Sequence, residues 1–390
     1  MNDSIPDTFF TSTKPAADSP RQLAIRFTGS GSEYFRIWIV NMLLILVTLG
    51  IYYPWAKVRK LRYFYGNTVV DGEALGFHAD AKKMFKGYAW VAVLFACYSL
   101  ASHFSTLAAL VALLLIAALW PALFKSSMRF RMANTSWRGM RFRFTGTTPD
   151  AYKALLPLLG LGALVVALPN SQAEGEMLPE WLTLTLSVAV LGASVLGPWL
   201  FQRLKAFQHN HYALAQEQTA FSADAWSFYV LGFKYFGVVL LAPASLAGVY
   251  TMIRITYGNI GLHGNIGLLA LVVLLGVPLM LLAYALIFAF STSRFQNLVW
   301  NHTASQHLQF HSDLALRPLL FLHFKNFLLM LFTLGLYWPF AAVAIRRMRL
   351  ECVSITSSID VAQLMSGGMP AAGDAVGDAA GDFLGIDLGL

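Results

Sequence analysis

Residues 87–124 run for 38 positions without an acidic group. A helix needs about 20 apolar residues to cross a bilayer, so this run is too long for one span and reads as two, near 88–103 and 106–124. They turn at His103-Phe-Ser-Thr106. Segments 152–169 and 181–201 form a second pair around NSQAEGEMLPE, and 228–252 and 267–290 a third around RITYGNIGLHGNI. Composition agrees. Only 12% of residues are charged against 57% hydrophobic, with mean hydropathy +0.58, where a soluble domain carries about 25% charged. The stretch MNDSIPDTFFTSTKPAADSP has no apolar signal region, so insertion is expected to use internal helices. Cys97 and Cys352 are too few for a disulfide framework or a zinc site. The net charge of +8 fits Lys and Arg anchored on the cytoplasmic side and does not call for nucleic acid.

The segments between the apolar runs repeat. Pro54, Pro121 and Pro198 are each followed after 13 residues by Asn67, Asn134 and His211, and ten further on by Phe77, Phe144 and Phe221. A looser fourth copy reads Asn301 and Phe310, followed by His-Ser-Asp as the others are by His-Ala-Asp, Thr-Gly-Thr and Ser-Ala-Asp. Such spacing marks internal duplication. The unit is a membrane helix that leaves the bilayer at Pro-aromatic, continues as a short basic helix, and turns into a strand such as MRFRFTG, whose large residues alternate. Arg62 and Arg129 both fall five residues before the Asn, positions suited to lipid headgroups or another anion as well as to simple anchoring.

The chain ends are half-units. Phe27-Thr-Gly-Ser begins one, and Pro339, with Cys352 thirteen residues on, finishes one. The strand near 23–27 and the segment 351–355 therefore lack hairpin partners, and they are expected to pair with each other, since an open edge in each would invite aggregation.

Two further apolar runs, 37–55 and 319–340, carry the same phrase, Thr-Leu-Gly-x-Tyr-x-Pro. Aligned at a constant offset of 285, residues 37–59 and 322–344 share 11 identities in 23 positions. If these runs re-enter on the side they left, only Arg254 of the 28 Lys and Arg falls outside, in line with cytoplasmic bias. The alternative is that they span fully. A break inside the bilayer exposes backbone groups; Gly50 and Gly335 would permit the bend, and Thr48 and Thr333 would bind freed carbonyls. Paired broken helices point to a ligand site in transporters, which makes Asn41, Thr48, Gly50, Tyr52, Asn326, Thr333, Gly335 and Tyr337 candidate ligand residues. Packing of small and polar residues between helices is the competing explanation.

No catalytic or metal constellation emerges. His209, His211, His302, His307 and His311 lack zinc spacing, and neither a phosphate loop nor a nucleophile elbow is present. No cofactor is implied. Residues 1–22 and the Gly/Asp-rich 358–390 read as disordered tails around a membrane domain, 23–357.

The stretch FTGSGSEYFRIWIVNMLLILVTLGIYYPWAKVRKLRYFYGNT, with NTSWRGMRFRFTG later, resembles the YjgN-like family of bacterial inner-membrane proteins. The resemblance implies a Gram-negative inner-membrane location and carries no known activity. The fold expected is an all-α polytopic membrane protein. It has six full transmembrane helices in three hairpins, two re-entrant or additional segments, and a small cytoplasmic layer of β-hairpins, with both termini cytoplasmic. Its partners are the bilayer and a possible protein bound by hairpins and tail. A transporter or channel is the leading functional expectation, and a non-enzymatic scaffold or sensor the alternative.

Overall fold

The computed structural model describes residues 21–166, 180–257 and 266–361; most of both expected tails and the two linkers lie outside them. Strand β1 (Arg21–Phe27) leads into α1 (Gly31–Val47) and α2 (Tyr53–Gly66). Strands β2 (Thr68–Val70), β3 (Glu73–Ala74) and β4 (Gly76–Phe77) precede α3 (Ala81–Phe104) and α4 (Thr106–Asn134). Then come β5 (Thr135–Trp137), β6 (Met140–Phe144), α5 (Thr148–Val166) and α6 (Glu180–His209). Strands β7 (Tyr212–Leu214), β8 (Glu217–Gln218) and β9 (Ala220–Phe221) lead to α7 (Ala225–Tyr257) and α8 (Ile266–Asn301). Last are β10 (Thr303–Ala304), β11 (Leu308–Ser312), α9 (Leu316–Phe332), α10 (Trp338–Glu351) and β12 (Val353–Ser357). The protein is mostly helical, and α3, α4, α6, α7 and α8 are long and apolar enough to cross a membrane.

The strands form a closed ring. Hairpins β2–β3, β5–β6, β7–β8 and β10–β11 are each antiparallel, and β1 pairs with β12 with Leu23 opposite Ile355. The two half-units thus make a fifth hairpin from the two ends of the fold. Between hairpins, β1 pairs with β2, β4 with β5, β6 with β7, β9 with β10 and β11 with β12. Strands β3 and β4 are separated only by Leu75, and β8 and β9 only by Thr219. Both residues stay in the ladder, Leu75 N–H donating to Thr68 O at 2.9 Å and Thr219 N–H to Tyr212 O at 2.8 Å. Ring closure leaves no strand edge open, which removes the aggregation hazard of a layer of short hairpins.

Five equivalent hydrogen bonds stitch neighbouring units. The N–H groups of Thr28, His78, Thr145, Ser222 and Asp313 donate to the carbonyls of Asn67, Asn134, His211, His302 and Cys352, at 2.8 to 3.2 Å. This corrects the expected fourth repeat. Its junction residue is His302, not Asn301, and the residue ten further on is Ser312, not Phe310. The His-Ser-Asp match was two residues out of register. With Ala289 in place of the proline and Ser312 in place of Phe, that copy carries neither anchor.

The same set explains why Asn, His and Cys alternate at one position. Each side chain donates to the carbonyl four residues back at the frayed end of its helix, where acceptors lack partners. Asn67 and Asn134 do so through Nδ2 at 2.8 Å, His211 and His302 through Nδ1 at 2.7 and 2.8 Å, and Cys352 through Sγ at 2.9 Å. Asp71-Gly72 and Arg138-Gly139 close their hairpins as two-residue turns with positive φ throughout, the twist that suits paired strands.

Helices pack in chain order, each on its neighbours, and α10 returns to α1. The result is a wall one helix thick. Helices α1–α2 and α9–α10 are the short members, at 17 and 14 residues in both pairs. Because β1 pairs with β2 and β11 with β12, each short pair starts and ends at the strand ring. The runs 37–55 and 319–340 are therefore interrupted at their repeated phrase. Thr48 Oγ1 donates to Leu44 O and accepts from Tyr52 N–H, at 2.7 and 3.0 Å, and Thr333 repeats this with Leu329 and Tyr337 at the same distances. Gly50 and Gly335 adopt φ of 92° and 88° and donate to carbonyls five residues back at 2.8 Å, the helix-ending bond of a Schellman motif. Gly50→Val and Gly335→Val should each cost about 1–2 kcal/mol, because a β-branched residue is strained there. Thermal melts in detergent check this, with Gly192→Val, a helical site open to its surroundings, as the neutral control.

Candidate functional site

Side chains alternate across each strand, so closing the ring gathers one face of every strand around a common axis. Leu23, Val70, Trp137, Leu214 and Leu308, one from each hairpin, form a single buried cluster there. They line a cavity of about 230 Å³. Thr68, Thr135 and Thr303 also line it, but each hydroxyl donates to the carbonyl four residues back at 2.8 Å. The lining is thus mainly hydrocarbon and aromatic. Such a lining favours apolar guests over polar ones.

At the helix side, Arg346, Arg349, Gln296 and Trp300 meet the cavity. Arg349 Nε donates to Gln296 Oε1 at 2.9 Å, and Gln296 Nε2 donates to Arg349 O at 2.8 Å. The Arg346 guanidinium lies 5.6 Å from the Phe64 ring centre. At the opposite mouth, Val361 is buried in the apolar cluster and Ile359 packs against it. Among the described residues, Ile359 and Val361 thus pack on the core beyond the boundary expected at 357, and Arg21 and Gln22 belong to β1 ahead of the expected 23.

Glu217 is the acidic group on the cavity wall. Burial pushes its carboxyl up, but hydrogen bonds from Ser305 and His307 outweigh this and hold it below the usual value. Ser305 Oγ and His307 Nδ1 both approach it at 2.6 Å. Burial also pushes the Tyr212 phenol above its ordinary range. The Cys352 thiol is pushed up to about 11, chiefly by burial and then by Asp313, so it is not a ready nucleophile. His209 Nδ1 meets Thr303 Oγ1 at 3.0 Å; that hydroxyl already donates to Val299 O, so the ring nitrogen is the donor. Among the described residues no group of His, Cys, Asp or Glu could hold a metal ion.

The residues singled out in the sequence lie elsewhere. The two Thr-Leu-Gly turns are exposed tips, with Leu49 at 92% and Leu334 at 93% exposure, and nothing lies within 4 Å of a Cβ built on Gly50 or Gly335. Thr48, Gly50, Thr333 and Gly335 close turns there and are not among the cavity-lining residues. Tyr52 stacks on Trp55 at 6.0 Å and Tyr337 on Phe340 at 5.4 Å. Asn41 is buried between α1 and α2, where its Oδ1 accepts from Arg59 at 3.2 Å. Asn326, its counterpart, is buried with neither amide atom hydrogen-bonded; Ala344 stands where the first copy has Arg59, which removes the donor to its Oδ1. Tyr52 and Arg62 share an open groove with Arg59 and Lys82 beside the start of α3. Arg129 is exposed on α4. The ring cavity was missed because alternation assigns a face to each strand without saying which faces meet.

The chain is similar to the inner membrane protein YjgN of Salmonella typhimurium, 32% identical over 145 residues covering 36% of this chain and 37% of the relative. It is 34% identical over 119 residues to the inner membrane protein YjgN of Escherichia coli K12, covering 30% of each. These matches thus span about a third of the relatives' length. No solved structure matches. A family described as bacterial protein of unknown function (DUF898) matches residues 22–383. All of the helical wall and, except for Arg21, all of the strand ring lie within that match, and the chain belongs to the DUF898 family.

Proposed function

We propose that this protein is a non-enzymatic transporter of the bacterial inner membrane, carrying an amphiphilic molecule that moves in hydrocarbon and not in water. In this reading α3–α8 span the bilayer in three hairpins. The pairs α1–α2 and α9–α10 dip in and return, and the ring and both termini face the cytoplasm. The Lys and Arg distribution supports that orientation, and the names of the relatives support the inner membrane alone.

One observation carries the transport reading: a closed ring with an apolar interior stands at the end of a wall whose helices are apolar on both faces. Among the described residues, none in the most apolar window of α7 is buried, and few are in α3, α4, α6 and α8. A helix apolar all round belongs in lipid or protein, so such a wall suits a lipid-like cargo better than an ion. The site accordingly moves from the two turns to the ring axis.

Filling the ring tests this. Wild-type protein in detergent should bind a dansyl-labelled fatty acid saturably, and Val70→Trp with Leu214→Trp should weaken binding about tenfold, equivalent to about 1.4 kcal/mol. Equal binding by the folded variant would remove the ring as the site. A second reading, a scaffold recruiting a cytoplasmic partner, is supported by Val361, which starts the acidic tail at the ring mouth. Removal of residues 362–390 would then abolish a co-purifying band and leave probe binding intact.

A further inference from the structure

A second cavity, of about 800 Å³, lies between α6, α7 and α8. Its wall runs from Gly197 to His209 on α6 and from Ser291 to Trp300 on α8. At about 1.5 Å per residue these stretches cover roughly 18 and 14 Å of helix, so the cavity reaches from the strand ring well along the helical wall. Its outer rim is open, with Phe201 41% and Tyr235 39% exposed. Farther in, Phe201 lies 4.6 Å from Phe295 between ring centres, and Phe228 lies 6.1 to 6.3 Å from both. At the inner end Gln208 is 1% exposed, and among the described residues its Oε1 accepts no hydrogen bond. Rings suit a hydrocarbon chain, and a buried acceptor without a donor suits a polar end that carries one.

The inner end also touches the ring cavity. Tyr212, Gln296, Trp300 and Arg349 line both, so one layer of side chains divides them. Gln296 and Arg349 are tied to each other by two hydrogen bonds, at 2.8 and 2.9 Å. Trp300 is held differently. Its ring lies 5.5 Å from that of His209 and 5.2 Å from that of Phe310, and among the described residues its indole N–H donates no hydrogen bond. Rotating it breaks ring contacts alone. The opposite mouth of the ring is covered, since Val361 packs into the apolar cluster and Ser358 N–H donates to His307 O at 2.9 Å.

We propose that this cavity is the entrance through which the cargo passes from the bilayer to the ring, with Trp300 as its gate and Gln208 receiving the polar end. The inference rests on the ring being the cargo site. It narrows the cargo to a lipid whose polar end carries a hydrogen-bond donor, because a hydroxyl that sheds water on the way in regains a partner at Gln208 Oε1.

Stopped-flow fluorescence of the full chain in detergent tests this, with a dansyl-labelled long-chain alcohol and its methyl ether as probes. Nothing lies within 4 Å of a Cβ built on Gly197, so Gly197→Trp fits and narrows the passage. It should slow loading and release alike, each about tenfold, and leave the Kd unchanged, because an obstacle on a path raises the barrier equally in both directions. Trp300→Ala should speed both steps. Gln208→Leu should slow loading of the alcohol by about three- to tenfold, the scale of one neutral hydrogen bond, and leave the ether unaffected. Thermal melts confirm folding, and Gly197→Leu serves if Gly197→Trp does not fold. Unchanged rates in the folded Gly197 variant, or a changed Kd at unchanged rates, would overturn the entrance while leaving the ring site standing. Equal slowing of alcohol and ether by Gln208→Leu would overturn the role of Gln208. Undiminished affinity in Val70→Trp with Leu214→Trp would instead remove the ring site, and the entrance with it.

Discussion

Leu23→Asp should dismantle the strand ring. Leu23 is 3% exposed, faces Ile355 across the pairing of the two chain ends, and packs with Val70, Trp137, Leu214 and Leu308. A carboxylate there must give up its hydration among the apolar side chains of the cluster, or take up a proton and still leave polar atoms unbonded. The cost should be about 3–5 kcal/mol, typical of an unpaired buried charge and a large part of a domain's stability. Gln22→Asp, one residue away on the exposed side of the same strand, should change stability by less than about 0.5 kcal/mol. Thermal unfolding in detergent and proteolysis of the ring will compare the two. Similar melting of both variants would mean that β1 does not turn Leu23 into a closed interior.

A stop after Cys352 and a stop after Val361 should behave in opposite ways. The first removes β12 and leaves β1 and β11 with bare edges, since β12 pairs with both. Exposed edges template further pairing, so this protein should elute as aggregates on size exclusion. The second removes only residues beyond Val361, keeps the ring closed and retains the plug at its mouth. It should remain monodisperse with its melting midpoint close to that of the full chain. Loss of monodispersity in both would place a structural role in the tail, and its retention in both would show that closure is dispensable.

Much of this was legible before any coordinates. Recurrence of Pro, Asn and Phe at fixed spacings marked the units, and the incomplete units at the two ends required each other. Thr48 and Gly50, with their later counterparts, announced a chain reversal, because few residue types end a helix and turn it back so tightly. The fourth unit resisted the same treatment. Ala289 and Ser312 carry no anchor, so a neighbouring Asn and Phe supplied a false register that only the Ser222 to His302 bond corrects. Asn41 and Asn326 looked equivalent in sequence, yet Arg59 and Ala344 give them opposite environments.

Local chemistry accounts for the boundary between what could be read and what could not. Helix ends, tight turns, apolar length and strand alternation depend on residues close in the chain, so the sequence by itself determined the repeated unit, its membrane-seeking helices and the partnership of its ends. Ring closure depends on ladders between residues as far apart as Arg21 and Ser357. It alone decided that five separate apolar faces share one cavity, and that Lys205, Gln208 and Arg349 border another. Contact between distant segments is set by how every unit packs on the next, and no window of sequence contains that sum.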